Sequence, residues 1–274
     1  DTGPLGLFPR GAGAGDCLHR ILEQFPFTAA ESRDPAAVVP ADLIQAELRR
    51  AGLDPELTDS VVDGLQCVLQ TPLGGRLGAL KLADIGPDQR LHELSFDLPV
   101  QRVRTRDLVA AFRCDPQARF GLDYADQLEG LAVNSRGFLT GSIDLVFCDP
   151  GNGRWWVLDW KSNWIGERRS EVADVRCGPV HYHQAAMEEQ MVHHHYPLQA
   201  HLYLVALHRH LATRLPGYSA ERHLGGYVYC FLRGMPGSEG FDPDDANDLP
   251  GRIVESAPLL RVEALDRALG RVGG

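Results

Sequence analysis

Two acids and an amine carry the chemistry this sequence offers. Asp144 lies in Thr140-Gly141-Ser142-Ile143-Asp144-Leu145-Val146-Phe147, and fifteen residues later Asp159 lies in Val157-Leu158-Asp159-Trp160-Lys161. The chain uses 25 arginines and only two lysines, one of which is Lys161. Arginine does not readily give up its proton, whereas a partly buried lysine can sit near its point of ionisation, so an amine kept at this position points to chemistry. Carboxylates are hard oxygen donors suited to Mg²⁺ or Mn²⁺. A metal held by them can activate water and offset charge on a phosphate, with Lys161 orienting or deprotonating that water. The residue types therefore fit metal-dependent phosphodiester hydrolysis.

The elements that position these groups can be read from the same stretch. Gly137 to Cys148 and Arg154 to Lys161 have strand composition, joined around Asp149-Pro150-Gly151-Asn152-Gly153, a strong hairpin signal. A four-residue loop over 150–153 pairs Asp149 with Arg154, and counting back sets Asp144 opposite Asp159. Directly opposed residues share a face with Cβ atoms roughly 4.5–5.5 Å apart. Lys161 shares that face because side chains repeat every second residue, and a one-residue slip would turn Asp144 away. The competing reading is a surface salt bridge on an edge hairpin. The flanks (Ile143, Leu145, Phe147, Trp156, Val157, Leu158, Trp160) are apolar and aromatic, which favours a core hairpin.

Further candidates lie on helices. Leu18, Ile21, Leu22 and Phe25 form an i, i+3, i+4, i+7 stripe over Gly15 to Phe25, ended by Pro26. If this helix begins early, Gly11, Gly15 and His19 share a face, glycine permits close approach, and the His19 imidazole becomes a candidate metal ligand. Its plain alternative is a histidine at the core edge. Tyr196, Gln199 and Tyr203 fall at i, i+3 and i+7 on one helical face, suiting phosphate, sugar or base contacts. Core packing with Leu198, Leu202 and Leu207 is the alternative. The histidine-rich stretch (His181, His183, His193, His194, His195, His201, His208, His210) reads as a solvated helix rather than a zinc site, since three consecutive histidines cannot share one helical face. No G-x-x-x-x-G-K-[ST] loop occurs, which excludes a Walker-type nucleotide site.

Elsewhere, Ala41 to Gln70 is helical with a break at Gly52 to Pro55. Leu91 to Val100 reads as a strand containing Glu93, and Thr105 to Arg113 as a short helix. The stretch from Asn163 to Val180 reads as irregular. Helices are expected over His183 to His195 and from Pro197 to about Leu215, with Gly225 to Leu232 as the last strand. After Gly234 a Pro/Asp/Gly-rich tail reads as loop, with a short helix near Val262 to Leu269. The fold class is α/β: a mixed central sheet carrying the hairpin and flanked by the His19 and Gln199 helices. The whole of 1–274 is expected to form one domain, with a helical insertion at 28–85 and a loop-rich tail at 235–274.

Composition narrows the class. At 274 residues, 44% hydrophobic and 23% charged, the chain can bury a sizeable core, and no run approaches a membrane span. Six scattered cysteines without a C-x-x-C pair suggest reduced thiols in a cytoplasmic protein. A net charge of −10 argues against a generic basic nucleic-acid binder, yet a carboxylate site recruits cations before phosphate approaches. The opening Asp1-Thr2-Gly3-Pro4-Leu5-Gly6 suggests a piece of something longer.

Taken in order, the motifs resemble a known family. Gly137 to Phe147, then Val157-Leu158-Asp159-Trp160-Lys161-Ser162-Asn163-Trp164-Ile165-Gly166, are similar to the C-terminal nuclease domains of the RecB family, within the PD-(D/E)xK nuclease superfamily. Further matches are Gly15-x-x-x-His19-x-x-x-Glu23, Tyr196-x-Leu198-Gln199-x-x-Leu202-Tyr203 followed by Ala206-Leu207-His208-Arg209, and Gly226-Tyr227-x-Tyr229-x-Phe231-Leu232-Arg233-Gly234-Met235. The resemblance covers most of residues 8 to 240. It implies a metal site of His19, Asp144 and Asp159, Lys161 as catalytic partner, and Gln199 and Tyr203 in support. Glu93 is implied as a further acid on the first core strand. The implied cofactor is Mg²⁺, with Mn²⁺ or Ca²⁺ able to substitute for binding. DNA is the implied substrate, in recombinational repair of double-strand ends. Family partners are an upstream helicase part of the same chain and the gamma and alpha subunits of the helicase-nuclease. The rivals are a non-catalytic nuclease-like scaffold and a stand-alone repair nuclease. The segment from Glu167 to Gly178 is longer than the family pattern.

Overall fold

A computed structural model describes residues 2–28, 39–168, 175–238 and 249–270. Helix α1 (Ala12–Gln24) opens at Gly11, whose φ of 100° favours glycine, and buries Cys17, Leu18, Ile21 and Leu22. Helices α2 (Ala41–Arg50) and α3 (Thr58–Gln70) follow, separated at the expected break, then β1 (Arg90–Arg104), α4 (Thr105–Arg113) and α5 (Leu122–Leu128). The hairpin strands are β2 (Asn134–Cys148) and β3 (Trp155–Lys161). A two-stranded ribbon, β4 (Glu167–Arg168) and β5 (Val175–Arg176), interrupts the stretch expected to be irregular, and the centre of the long 167–178 segment lies outside the described residues. Helices α6 (Gln184–His193) and α7 (Tyr196–Arg214), the one-turn α8 (Ala220–His223), β6 (Leu224–Phe231), β7 (Arg252–Ser256) and α9 (Leu259–Leu269) complete the chain.

The main sheet runs β1-β2-β3-β6-β7. β3 pairs with β6 in parallel and the other neighbours are antiparallel, so the sheet is mixed and the fold α/β, as expected. All eight residues of β6 are buried, the apolar run of a central strand covered on both faces. One layer packs Val146, Val157, Tyr227, Tyr229 and Ile253 against α4, α5, α6, α7 and α9. The other packs Leu145, Phe147, Trp156, Leu158 and Trp160 against α1, α2 and α3. Residues 41–70, read as part of an inserted helical segment, thus supply one cover of the sheet. No helix among the described residues is long and apolar enough to cross a membrane.

The tail departs from the expected loop. β7 pairs with β6 from Gly226↔Ser256 to Cys230↔Arg252, and α9 begins at Leu259, before the expected start near Val262. A five-residue edge strand with only Ile253 and Val254 apolar is too short to show a period. β1 likewise runs past Val100 and through Pro99, which an edge strand tolerates.

Candidate active site

The hairpin register is the one the loop predicts. Asp149 N–H donates to the Arg154 carbonyl at 2.8 Å, and the ladder runs Cys148↔Trp155, Phe147↔Trp156, Val146↔Val157, Leu145↔Leu158. One step further sets Asp144 opposite Asp159. There the Asp144 side chain replaces backbone pairing: its Oδ2 accepts from the Trp160 N–H at 2.8 Å. Asp159 and Lys161 extend from the end of β3 towards α7, while Trp160 between them packs in the α1 layer.

His19 reaches the acids from α1, with Nδ1 3.5 Å from Asp144 Oδ2. Close approach of this helix depends on Gly15, where an added Cβ would stand 2.8 Å from Ser162 Oγ, the residue after Lys161. Gly11 has open space around it, so of the two glycines expected to let the helix in, only Gly15 packs against the strand end. A buried arginine then fixes the arrangement. Arg233 donates from Nε to the Ser162 carbonyl (3.0 Å), from Nη1 to Leu5 O (2.7 Å) and Phe8 O (2.8 Å), and from Nη2 to Pro9 O (2.7 Å). One guanidinium therefore ties the end of β3 to the segment that leads into α1.

Lys161 is caged. Its Nζ lies 2.5 Å from Asp159 Oδ2 and donates to Gln199 Oε1 at 3.2 Å. It sits 3.8 Å over the Tyr196 ring and 5.2 Å from that of Tyr229, so cation–π attraction supplements the polar contacts. Gln199 Nε2 donates to Tyr203 Oη at 2.9 Å, while Tyr229 Oη donates towards Gln199 Oε1 (2.9 Å) and the Tyr196 carbonyl (3.1 Å). The stripe Tyr196, Gln199, Tyr203 thus meets the lysine of the hairpin, and Tyr203 also packs edge-on against Phe96.

Burial decides the electrostatics. Asp159 is 3% exposed, and its carboxyl is pushed up to about 6 because burial penalises the charge and Asp144 adds repulsion, against the pull of Lys161 and His19. Its Oδ2 touches the ammonium but accepts no well-formed hydrogen bond. For His19, burial works against protonation, yet the hydrogen bond and charge of Asp144, helped by Asp159, outweigh it and raise the imidazole above its usual range. Burial also raises the Tyr203 and Tyr229 hydroxyls, so both keep their protons; Tyr203 accepts from Gln199 and Tyr229 donates to it.

Among the described residues, no three His, Cys, Asp or Glu side chains already stand in a chelating arrangement. The donor set nevertheless fits a divalent cation. Asp159 Oδ2 is a buried carboxylate oxygen without a hydrogen bond, opposed by a second carboxylate and bordered by an imidazole, and an oxygen-rich set of this kind suits Mg²⁺. Glu93 is set apart. It stands across β1 from Asp144, between the pairs His92↔Leu145 and Leu94↔Ile143, but its backbone is left-handed (φ 49°) and its Oε2 accepts from Ser142 Oγ at 2.7 Å. Among the described residues no hydrogen bond or ion pair joins it to His19, Asp144 or Asp159, though its charge reaches Tyr203.

The solvated-helix reading holds for only part of the histidine run: His183, His193 and His194 are exposed, whereas others are built into the packing. His201 is fully buried against Phe112 and Tyr227, and burial lowers its imidazole to about 3. His195 occupies the left-handed turn between α6 and α7 (φ 55°) and contacts Tyr124, and His194 stacks on Tyr196. Tyr229 and Arg233 lie within one of the family motifs, but the sequence alone assigns neither a role in the site. Their available signal was polar groups inside or directly after a wholly apolar strand, where each needs a buried partner.

Comparison with known proteins places this architecture. The family model of the PD-(D/E)XK nuclease superfamily matches residues 8–269. The RecBCD enzyme subunit RecB of Mycobacterium tuberculosis is 35% identical over 98% of this chain and 25% of its own length. RecB of Escherichia coli strain K12 is 34% identical over 83% of this chain and 17% of its own length, and that of Haemophilus influenzae 35% identical over 84% and 17%. The chain spans about a quarter or less of the curated relatives it matches. With the family match running almost end to end across the sheet and the site, this chain belongs to the PD-(D/E)XK nuclease superfamily.

Proposed function

We propose that this chain is the Mg²⁺-dependent DNA-hydrolysing module of a RecB-type helicase-nuclease. In this reading a helicase part precedes it on the same polypeptide, gamma and alpha subunits complete the assembly, and the work is repair of double-strand ends in the cytoplasm. The observation that carries the reading is the buried Asp159 carboxylate, opposed by Asp144 and contacted by Lys161, at the end of β3. Asp144, Asp159 and His19 would hold the cation. When bound, Mg²⁺ supplies positive charge that acidifies water and offsets charge building up on the phosphate.

The remaining steps belong to the chain's own groups. Asp144, fixed by the Trp160 N–H, keeps one oxygen oriented, and His19 borders it from α1. Lys161 orients the attacking water or takes its proton, held in place by the Gln199 carbonyl oxygen and the Tyr196 ring. Tyr203 and Tyr229 set the Gln199 amide so that its oxygen faces the ammonium. End-labelled single-stranded and duplex DNA incubated with the purified domain should be cut in Mg²⁺ and left whole in EDTA. Intact DNA in both Mg²⁺ and Mn²⁺, from a folded protein, would support a scaffold instead.

A further inference from the structure

Among the described residues, basic side chains on the segments that carry the site include Arg10, Arg20, Lys161 and Arg233. Three are committed. Arg20 pairs with Glu47 (Nε to Oε2, 2.8 Å), Lys161 is held by Asp159 and Gln199, and Arg233 is 3% exposed with its donors on four backbone carbonyls. Arg10 differs. It is exposed, it has no ion pair or hydrogen bond among the described residues, and its guanidinium carbon lies 3.4 Å over the Trp164 ring. Stacking occupies a face of the guanidinium and leaves its N–H edge available to other partners.

Its place is fixed by neighbours. Arg233 binds the Pro9 carbonyl, directly before Arg10, and the Ser162 carbonyl, directly after Lys161. Trp164, the platform, lies three residues beyond Lys161. A planar cation with edge donors unpaired among the described residues, tied through Arg233 to the end of β3 on a chain of net charge −10, has a shape suited to a phosphate oxygen pair.

We propose that Arg10, stacked on Trp164, is a substrate-contacting residue that grips a backbone phosphate of single-stranded DNA next to the scissile one. The proposal rests on the nuclease reading. It assigns to Arg10 binding and register of the strand, and no part in water activation. Losing a charge-assisted contact of this kind should weaken binding about tenfold.

The test uses the purified protein with Arg10→Ala, Arg10→Gln and Arg10→Lys, and Trp164→Leu as the platform variant. Arg10→Ala and Arg10→Gln should raise KM for a single-stranded oligonucleotide about tenfold while kcat stays within about twofold. The log–log salt dependence of oligothymidine binding, followed by anisotropy in Ca²⁺, should lose about 0.7 of slope, the share of one phosphate on a single strand. Arg10→Lys should restore only part of the affinity, because an ammonium lacks the planar stack and fork. Trp164→Leu should weaken binding with Arg10 still present. Unchanged KM and salt slope in the Arg10→Ala and Arg10→Gln proteins would overturn the proposal, and so would a kcat loss accompanied by a lower melting temperature. Absence of cleavage by the parent protein would instead strike the nuclease reading, with the binding arm still reporting on Arg10.

Discussion

Asp159→Ala is expected to show no detectable DNA cleavage while melting no lower than the parent protein. The activity is lost because the substitution removes a strand-borne oxygen donor from the centre of the site. The fold survives because the lost group is a buried carboxylate facing a second acid, and its charge is a net cost to the native state. The pH dependence follows from the direction of the shift. Asp159 ionises near 3.8 when unfolded and at about 6 when folded, so below 6 the native state holds a proton that the unfolded chain has released. This group therefore stabilises the fold as pH falls from about 6 towards 4 and costs stability above about 6. Asp159→Asn removes that cost, so its advantage in melting temperature should be larger at pH 7.5 than at pH 5, measured in EDTA. A mutant that cleaves like the parent would refute the assigned mechanism.

Lys161→Arg should lose at least about a hundredfold in rate at saturating Mg²⁺ although the charge is kept, the usual scale of a general acid–base contribution. If Lys161 only offset phosphate charge, arginine would restore much of the rate, because a guanidinium pairs well with phosphate oxygens. A water-orienting or proton-accepting role cannot be transferred in that way, since the guanidinium stays protonated and is bulkier. The cage sharpens the distinction. The Lys161 side chain is 11% exposed, with Asp159 Oδ2 at 2.5 Å, Gln199 Oε1 at 3.2 Å and the Tyr196 ring at 3.8 Å, which leaves little room for a planar fork. Single-turnover rates on purified protein decide between the roles, and a near-parental rate would leave only the electrostatic one.

The part of this site legible in the sequence is the part set by local rules. The Pro150-to-Gly153 loop fixes the hairpin register, and period two then brings Asp144, Asp159 and Lys161 to one face. The Tyr196, Gln199, Tyr203 stripe follows from helical spacing, although spacing alone left open whether it packs in the core. It does both: Tyr203 packs on Phe96 while Gln199 holds Lys161. Long-range contacts were not legible. Arg233 joins residues more than two hundred positions apart, and Tyr229 reaches Gln199 only because β6 lies parallel beside β3. The left-handed backbone that turns Glu93 towards Ser142 leaves no trace in residue type. Nor does composition separate a buried histidine such as His201 from its exposed neighbours in the same run.

The central claim is that Asp144, Asp159 and His19 share one divalent cation. Crystals of the protein soaked in Mn²⁺ and measured at the manganese absorption edge test it most directly. The account predicts one anomalous peak bounded by oxygens of both carboxylates and the His19 imidazole, at ligand distances of roughly 2.0–2.6 Å. A peak at the Asp144 and Asp159 carboxylates with His19 turned away would remove only the imidazole from the set. A fully soaked crystal with manganese elsewhere and none between the two carboxylates would contradict the account.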